Sequence, residues 1–356
     1  MSGKTFMVMA GGTGGHIFPA LAVARALQAR GHHVVWLGSE DAMETRIVPQ
    51  HNIPLETLAI KGVRGNGLMR KLLLPFTLYK TVRDAKQIIQ KHRVACVIGF
   101  GGFVTFPGGI AAKTLGIPLV IHEQNAVAGL SNKKLSKWAT RVLYAFPKAF
   151  DVPNGLVGNP VRAEIAQLPA PEQRFAERTG QLKVLVVGGS LGAQVLNEMV
   201  PAALALLPAD QRPNVRHQSG RDKLLALQES YQQYGVDAEC SEFIDDMVSA
   251  YRDADVVICR AGALTIAELT AAGVGALLVP YPYAVDDHQT ANARFMVQAD
   301  AGLLLPQSQL TAAKLAEILA GLNRERCLTW ANHARTLAIP DSADRVAEIA
   351  IQTTQT

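Results

Sequence analysis

His16 closes a glycine-rich loop in the run Val8–Pro19, which reads VMAGGTGGHIFP. A loop of this kind between a strand and a helix presents backbone N–H groups and a helix N-terminus to an anion. A histidine at that point could accept a proton beside a bound phosphate near neutral pH, or could act only as a helix-proximal hydrogen-bond donor. The loop type recurs in Val184–Ala193, VLVVGGSLGA, where Ser190 is placed to hydrogen-bond a phosphate at the start of a helix expected over Gly192–Leu204. The first loop departs from the GxGxxG spacing, with no acidic ribose ligand established, and no GK[ST] follows to make it a P-loop. Glycines at such turns also serve close helix–sheet packing without any ligand.

Other candidates follow further apolar runs. Phe100–Pro107, FGGFVTFP, is another strand-end glycine turn, and His122–Glu123–Gln124–Asn125 lies directly beyond the run Pro118–Ile121. Asn125 could hold a sugar hydroxyl, whereas His122 and Glu123 lack a further ligand at metal-binding spacing. In Gly158–Arg162, GNPVR, the Arg162 guanidinium could clamp a phosphate or form a surface salt bridge. Arg260–Glu268, RAGALTIAE, opens a helix at Ala263, Leu264 and Thr265, whose N–H groups could receive a diphosphate. Glu268 either pairs with Thr265 in a capping box or accepts two ribose hydroxyls. In Tyr281–Asn292, YPYAVDDHQTAN, Asp286 and Asp287 suit helix caps, and His288 and Gln289 suit a sugar ring. Asp253–Ala254–Asp255 matches a metal-binding DxD triplet in form, but it precedes a strand instead of following one.

The elements that position these residues alternate. Strands are expected at Thr5–Ala10, His33–Leu37, Val94–Phe100, Pro118–Ile121 and Arg141–Tyr144, with helices at about Pro19–Arg30, Phe106–Leu115 and Gly129–Ala139. Short, nearly continuous apolar strands between helices indicate a parallel sheet covered on both faces. The pattern resumes with Lys183–Val187, Val236–Phe243, Ala254–Cys259 and Ala276–Pro280, and a last helix lies near Ser342–Gln352. The expected organisation is therefore α/β, with domains over 1–162 and 183–340 and a proline-punctuated linker or hinge over 163–182.

The chain has 356 residues, 49% hydrophobic and 18% charged, enough for two cores. No apolar run approaches the roughly 18 residues of a membrane span, and the N-terminus has no signal-peptide pattern. The four widely spaced cysteines fit free thiols in a reducing compartment. The net charge of +5 conceals an asymmetry: Met1–Arg162 carries 20 Lys and Arg against seven Asp and Glu, and the remainder 15 against 23. A basic front half favours an anionic surface. Nucleic acid is not expected, because zinc-finger spacing and RNA-binding sheet motifs are missing. An anionic membrane leaflet fits better. Within Lys61–Phe76, KGVRGNGLMRKLLLPF, the residues Leu68, Arg70, Lys71, Leu72, Leu73 and Phe76 mix apolar and basic groups as an interfacial anchor does. Lys133, Lys134, Lys137 and Trp138 form a similar cluster. The alternative for Leu72–Leu78 is an ordinary core helix.

Taken together, GGTGGHIFPALA, IGFGGFVTFPG, HEQNAVAG, GNPVR, VVGGSLGA, EFIDDM, CRAGALTIAE and DDHQTANA occur in an order that resembles the MurG family. These are bacterial transferases that move N-acetylglucosamine from UDP-GlcNAc to undecaprenyl-diphospho-muramyl-pentapeptide. The resemblance implies a GT-B architecture, two Rossmann-like domains with parallel sheets facing across a cleft. It also implies metal-independent, inverting chemistry with no cofactor, a peripheral place on the cytoplasmic face of the inner membrane, and a role in peptidoglycan synthesis, cell shape and division. Partners from cell-wall synthesis or division machinery are implied as well, and the terminal helix 341–356 is expected to join the first domain.

For individual residues, the resemblance implies that Ser190, Leu264 and Thr265 meet the UDP phosphates, that Ile244 flanks uracil through its backbone, and that Glu268 takes the ribose. Ala263, His288 and Gln289 would line the sugar, with Asn125 and Arg162 also reaching the donor. Gly12, Thr13, Gly14, Gly15 and His16, with Gly101 and Gly102, would cradle the acceptor diphosphate, with His16 as the base. Leu191, Tyr283 and His288 depart from residues common in the family. Two competing readings are a UDP-N-acetylglucosamine 2-epimerase of the same fold and a non-enzymatic nucleotide-sugar-binding protein at the membrane.

Overall fold

A computed structural model describes residues 3–60, 68–189 and 191–355, and the backbone alone for 68–75. The chain divides into two compact units, Met1–Val161 with Asp341–Thr356, and Arg162–Pro340.

The first unit holds six parallel strands, β1 (Thr5–Met9), β2 (His33–Ser39), β3 (Leu55–Leu58), β4 (Val94–Gly99), β5 (Leu119–Glu123) and β6 (Arg141–Tyr144), in the order β3-β2-β1-β4-β5-β6. β1 lies between β2 and β4, with Val8 opposite both Trp36 and Ile98. Phe6, Met7, Val8 and Met9 are wholly buried, as a central strand covered on both faces requires. On one face, Ile17, Leu21 and Leu27 of the helix Gly14–Ala29 share a core with Val346 and Ala347 of the terminal helix Ser342–Gln352. On the other, Ala85 and Ile89 of the helix Leu68–Lys91 pack with Met7, Met9 and Val97.

The second unit repeats the order. β7 (Lys183–Val187), β8 (Asn214–Gln218), β9 (Glu239–Ser241), β10 (Val256–Cys259), β11 (Gly275–Leu278) and β12 (Gly302–Leu304) lie as β12-β11-β10-β7-β8-β9, all parallel. Counted within its own unit, each sheet is 3-2-1-4-5-6, the doubly wound order whose ligand crevice lies at the carboxyl ends of strands 1 and 4. In these units those strands are β1 with β4 and β7 with β10, and the glycine-rich motifs follow them.

Three expectations need correction. The first helix begins at Gly14, not near Pro19, and Pro19 lies inside it. Proline there removes only the N–H that would have bonded the Gly15 carbonyl, so the helix tolerates it, and His16 stands on the first turn. The stretch 163–182 is no open linker. It contains the helices Ala163–Ala166 and Pro171–Phe175, and Phe175 sits in the second core. Arg174 donates to the carbonyls of Tyr251, Ala272 and Gly273, while Arg178 pairs at 2.6 Å with the fully buried Asp255. Asp255 also accepts from the Lys183 N–H, a structural task for the acidic triplet. Finally, β3, β8 and β12 were not foreseen, and β9 is shorter than the expected Val236–Phe243.

Candidate functional site

In the first unit the loop after β1, the turn after β4 and the segment after β5 place their polar groups together. Gly12 takes a positive φ of 91°, and its N–H donates to the buried Glu44 at 3.1 Å. Glu44 also accepts from the Ser39 N–H at 2.8 Å, so this carboxylate ties the glycine loop to the end of β2. Thr13, Gly14 and Gly15 lead into the helix, whose N-cap Thr13 makes no side-chain capping bond. Gly101 and Gly102, also at positive φ, follow β4. A Cβ on Gly101 would lie 2.9 Å from His16 Cε1, so the histidine ring occupies space that only glycine leaves open.

His16 Nδ1 is 2.9 Å from Gln124 Oε1. Gln124 Nε2 donates to the His122 carbonyl at 3.0 Å and lies 3.1 Å from His122 Nδ1. His122 Nε2 in turn is 2.9 Å from the Gly158 carbonyl. Burial pushes the His122 pKa down to about 4, so the ring is neutral at physiological pH. The buried Glu123 accepts from the N–H groups of Asn125 and Gly129 at 3.0 Å each, and from Asn132 Nδ2 at 2.8 Å. Of the four residues His122–Asn125, three are therefore buried supports, and Asn125 is the partly exposed one.

In the second unit, Ser190 lies outside the described residues. Its neighbours are set by packing. Gly192 has a φ of 69°, and a Cβ there would overlap the Ser219 carbonyl. The helix Ala263–Ala272 begins after β10, and its N-cap Gly262 offers no capping side chain to the first turn, Ala263, Leu264 and Thr265. Thr265 is thus the third residue of the helix, and no Thr265–Glu268 capping box forms. Glu268 instead accepts from Arg162 Nη2 at 3.1 Å and from the Tyr251 hydroxyl at 3.1 Å. Burial raises the Glu268 pKa, while Arg162 and Tyr251 oppose the rise. The Ile244 N–H donates to Gln218 Oε1 at 3.1 Å, and Gln218 Nε2 donates to the Gly189 carbonyl at 3.2 Å. Gln218 thereby joins the glycine loop to the Ile244 segment. Gln289 Oε1 accepts from the Tyr281 N–H at 2.9 Å, and His288 Nδ1 donates to the Val285 carbonyl at 2.7 Å, on the first turn of the helix His288–Gln298.

Glu44, Gln218 and Tyr251 were not anticipated. Each reaches the site from an element distant in sequence, and no local motif marks it.

Residues 6–144 match the glycosyltransferase family 28 N-terminal domain, and residues 183–346 match the glycosyltransferase family 28 C-terminal domain. The chain belongs to glycosyltransferase family 28. A relative from Neisseria meningitidis serogroup A, named UDP-N-acetylglucosamine–N-acetylmuramyl-(pentapeptide) pyrophosphoryl-undecaprenol N-acetylglucosamine transferase, is 78% identical across 99% of both chains. A relative of the same name from Nitrosomonas europaea is 54% identical, covering 96% of this chain and 97% of its own. The crystal structure of Acinetobacter baumannii MurG matches with a TM-score of 0.88 at 43% identity, over 98% of this chain and 99% of that one. The α/β GT-B architecture follows from these likenesses together with the two parallel sheets. In this family 28 chain, two of the departing residues, Leu191 and Tyr283, are exposed, and Tyr283 stacks edge-on with Tyr281 at 5.6 Å.

Proposed function

We propose that this family 28 chain transfers N-acetylglucosamine from UDP-GlcNAc to the muramyl 4-hydroxyl of undecaprenyl-diphospho-muramyl-pentapeptide, with inversion and release of UDP. The observation that carries this reading is the 78% identity, across 99% of both chains, to a transferase named for that donor sugar and that acceptor.

The residues divide the work by their chemistry. Ser190 and the first-turn N–H groups of Leu264 and Thr265 take the donor diphosphate, whose leaving charge the helix N-terminus stabilises, and Ala263 lies against the sugar. Glu268 accepts from the ribose hydroxyls, Arg162 supplies positive charge, and Ile244 flanks the uracil. Asn125, His288 and Gln289 are assigned to the sugar. The loop of Gly12, Thr13, Gly14 and Gly15, with Gly101 and Gly102, is assigned to the acceptor diphosphate, the Gly12 N–H itself being held by Glu44 and so shaping the loop instead of donating to the ligand. His16 removes the proton of the 4-hydroxyl as its oxygen attacks the anomeric carbon and the bond to UDP breaks.

The acceptor is lipid-linked, and we assign the first unit a peripheral contact with the anionic cytoplasmic leaflet. Phe76 and Tyr79 are 72% and 69% exposed, while Thr81, Ala85 and Ile89 of the same helix are buried, which supports the anchor reading for Phe76 over a core position. Leu130 and Trp138 are 61% and 42% exposed beside the exposed Lys133, Lys134 and Lys137. Apolar groups ringed by lysines suit an interface of lipid and water. The side chains of Leu68, Arg70, Lys71, Leu72 and Leu73 lie outside the described residues. Among the described residues no helix is long and apolar enough to cross a membrane.

The test is transfer of labelled N-acetylglucosamine from UDP-GlcNAc to the lipid-linked muramyl-pentapeptide, beside a control without acceptor. Acceptor-dependent product and stoichiometric UDP are expected. Donor consumption without acceptor, or binding without turnover, would overturn the reading.

A further inference from the structure

Resting on the assignment of His16 as the base, we propose that Gln124 and His122 are positioning residues that hold His16 in one tautomer, with the proton on Nδ1 and a bare, proton-accepting Nε2. The chain of hydrogen bonds is determined from its buried end. The Gly158 carbonyl can only accept, so His122 Nε2, 2.9 Å away, carries a hydrogen. The Gln124 amide is oriented independently of either ring, because its nitrogen donates to the His122 carbonyl at 3.0 Å. That same nitrogen lies 3.1 Å from His122 Nδ1, which must therefore be the lone-pair side of a neutral ring. The depressed His122 pKa, about 4, agrees. Gln124 is then left with its oxygen towards His16 Nδ1 at 2.9 Å, and an oxygen there requires an N–H to face it.

The supports are rigid. Gln124 is 1% exposed and His122 wholly buried, its ring tilted against Phe100 at 5.4 Å between centroids. Turning the amide over would set its nitrogen against His16 Nδ1 and its oxygen against the His122 carbonyl, losing the bond to that carbonyl. The bare Nε2 is what a general base needs, and an unconstrained neutral histidine favours the opposite tautomer. In the Ser-His-Asp triad a carboxylate performs the corresponding task, and the wrong tautomer there costs about 10⁴-fold in kcat. Here a neutral amide backed by a neutral histidine does so without putting a carboxylate against the ring itself.

The experiment is ¹⁵N NMR of the full-length chain labelled at its histidine ring nitrogens, with His16 assigned by the signals lost in His16→Ala. The neutral wild-type ring is expected to show a protonated Nδ1 and a bare Nε2. In Gln124→Leu the His16 signals should move towards the Nε2–H form. There kcat should fall about tenfold to a hundredfold, with the KM for UDP-GlcNAc within about twofold of wild type. Gln124→Glu keeps an acceptor towards His16 and should retain the Nδ1–H signal. A wild-type His16 with its proton on Nε2, or a Gln124→Leu protein with an unchanged tautomer or unchanged kcat, overturns the proposal. Failure of the base assignment has a different signature: the expected wild-type tautomer together with normal turnover in His16→Ala.

Discussion

The two units share a strand order and a glycine loop after the first strand, yet they use their switch points differently. In the first, the Gly12 N–H is already answered by the buried Glu44, and the side chain best placed for chemistry is His16 on the first helical turn. In the second, the first turn of Ala263–Ala272 has no capping side chain, and the charged groups beside it are Arg162 and the buried Glu268. Each unit also buries a neutral histidine. Both ring nitrogens of His122 have partners in the chain leading to His16, whereas His217 bonds Tyr231 at 2.9 Å and its Nε2 has no partner among the described residues. On the proposed assignment, one scaffold offers a proton-accepting histidine in the first unit and an uncapped helix start beside Arg162 and Glu268 in the second.

The sharpest way to break this contrast is His16→Ala, which should lower turnover about 10²–10⁴-fold if the histidine is the base. Steady-state transfer at saturating donor and acceptor measures it, and near-normal turnover would make His16 structural. Acid should strain both units alike. An unfolded histidine takes its proton near pH 6.5, but His122 resists until about 4 and His217 until about 3. Below pH 6.5 the unfolded chain therefore binds more protons than the folded one, and stability falls as pH drops from about 6.5 towards 4. Denaturant unfolding at pH 7.5 and pH 5 should differ by about 2 kcal/mol for each of these histidines. His217→Leu should remove its own share of that slope, and a flat profile in the parent would contradict the burial of neutral rings.

Glu268→Ala addresses the second unit alone. It strips a partner from Arg162 and Tyr251, and it should weaken UDP-GlcNAc binding by about 1–3 kcal/mol, read by calorimetric titration. Unchanged affinity would remove the ribose assignment. The smallest effect is expected at the surface. Phe76→Ser should reduce binding of the chain to anionic vesicles by about 1 kcal/mol, since one partly inserted aromatic contributes a fraction of its full burial. Sedimentation with liposomes at two salt concentrations checks this, and loss with salt but not with Phe76→Ser would reduce the contact to lysines alone.

How much of this was legible in the sequence differed between scaffold and site. The apolar runs of β1, β4, β7 and β10 marked the central strands because burial on both faces leaves no room for alternation. β8, Asn214–Gln218, escaped because Arg216 and His217 interrupt its apolar pattern, and β3 and β12 are only four and three residues long. Pro19 was misleading as a start signal, since a helix interior that loses one N–H near its first turn still forms. The glycine loops, His16, Asn125 and Glu268 could be picked out by type and position. The tasks of Gln124, Gln218 and Tyr251 could not, because each depends on a partner 17 to 108 residues away whose meeting only the sheet order brings about.

The division of labour is tested most directly by calorimetric titration of UDP-GlcNAc into His16→Ala. Donor affinity within about twofold of the parent is predicted, a negligible change in binding free energy, because Glu268 and the Ala263–Ala272 helix start, the groups proposed to hold the donor, belong to the second unit. A loss of tenfold or more would contradict the account and make His16 part of the donor site.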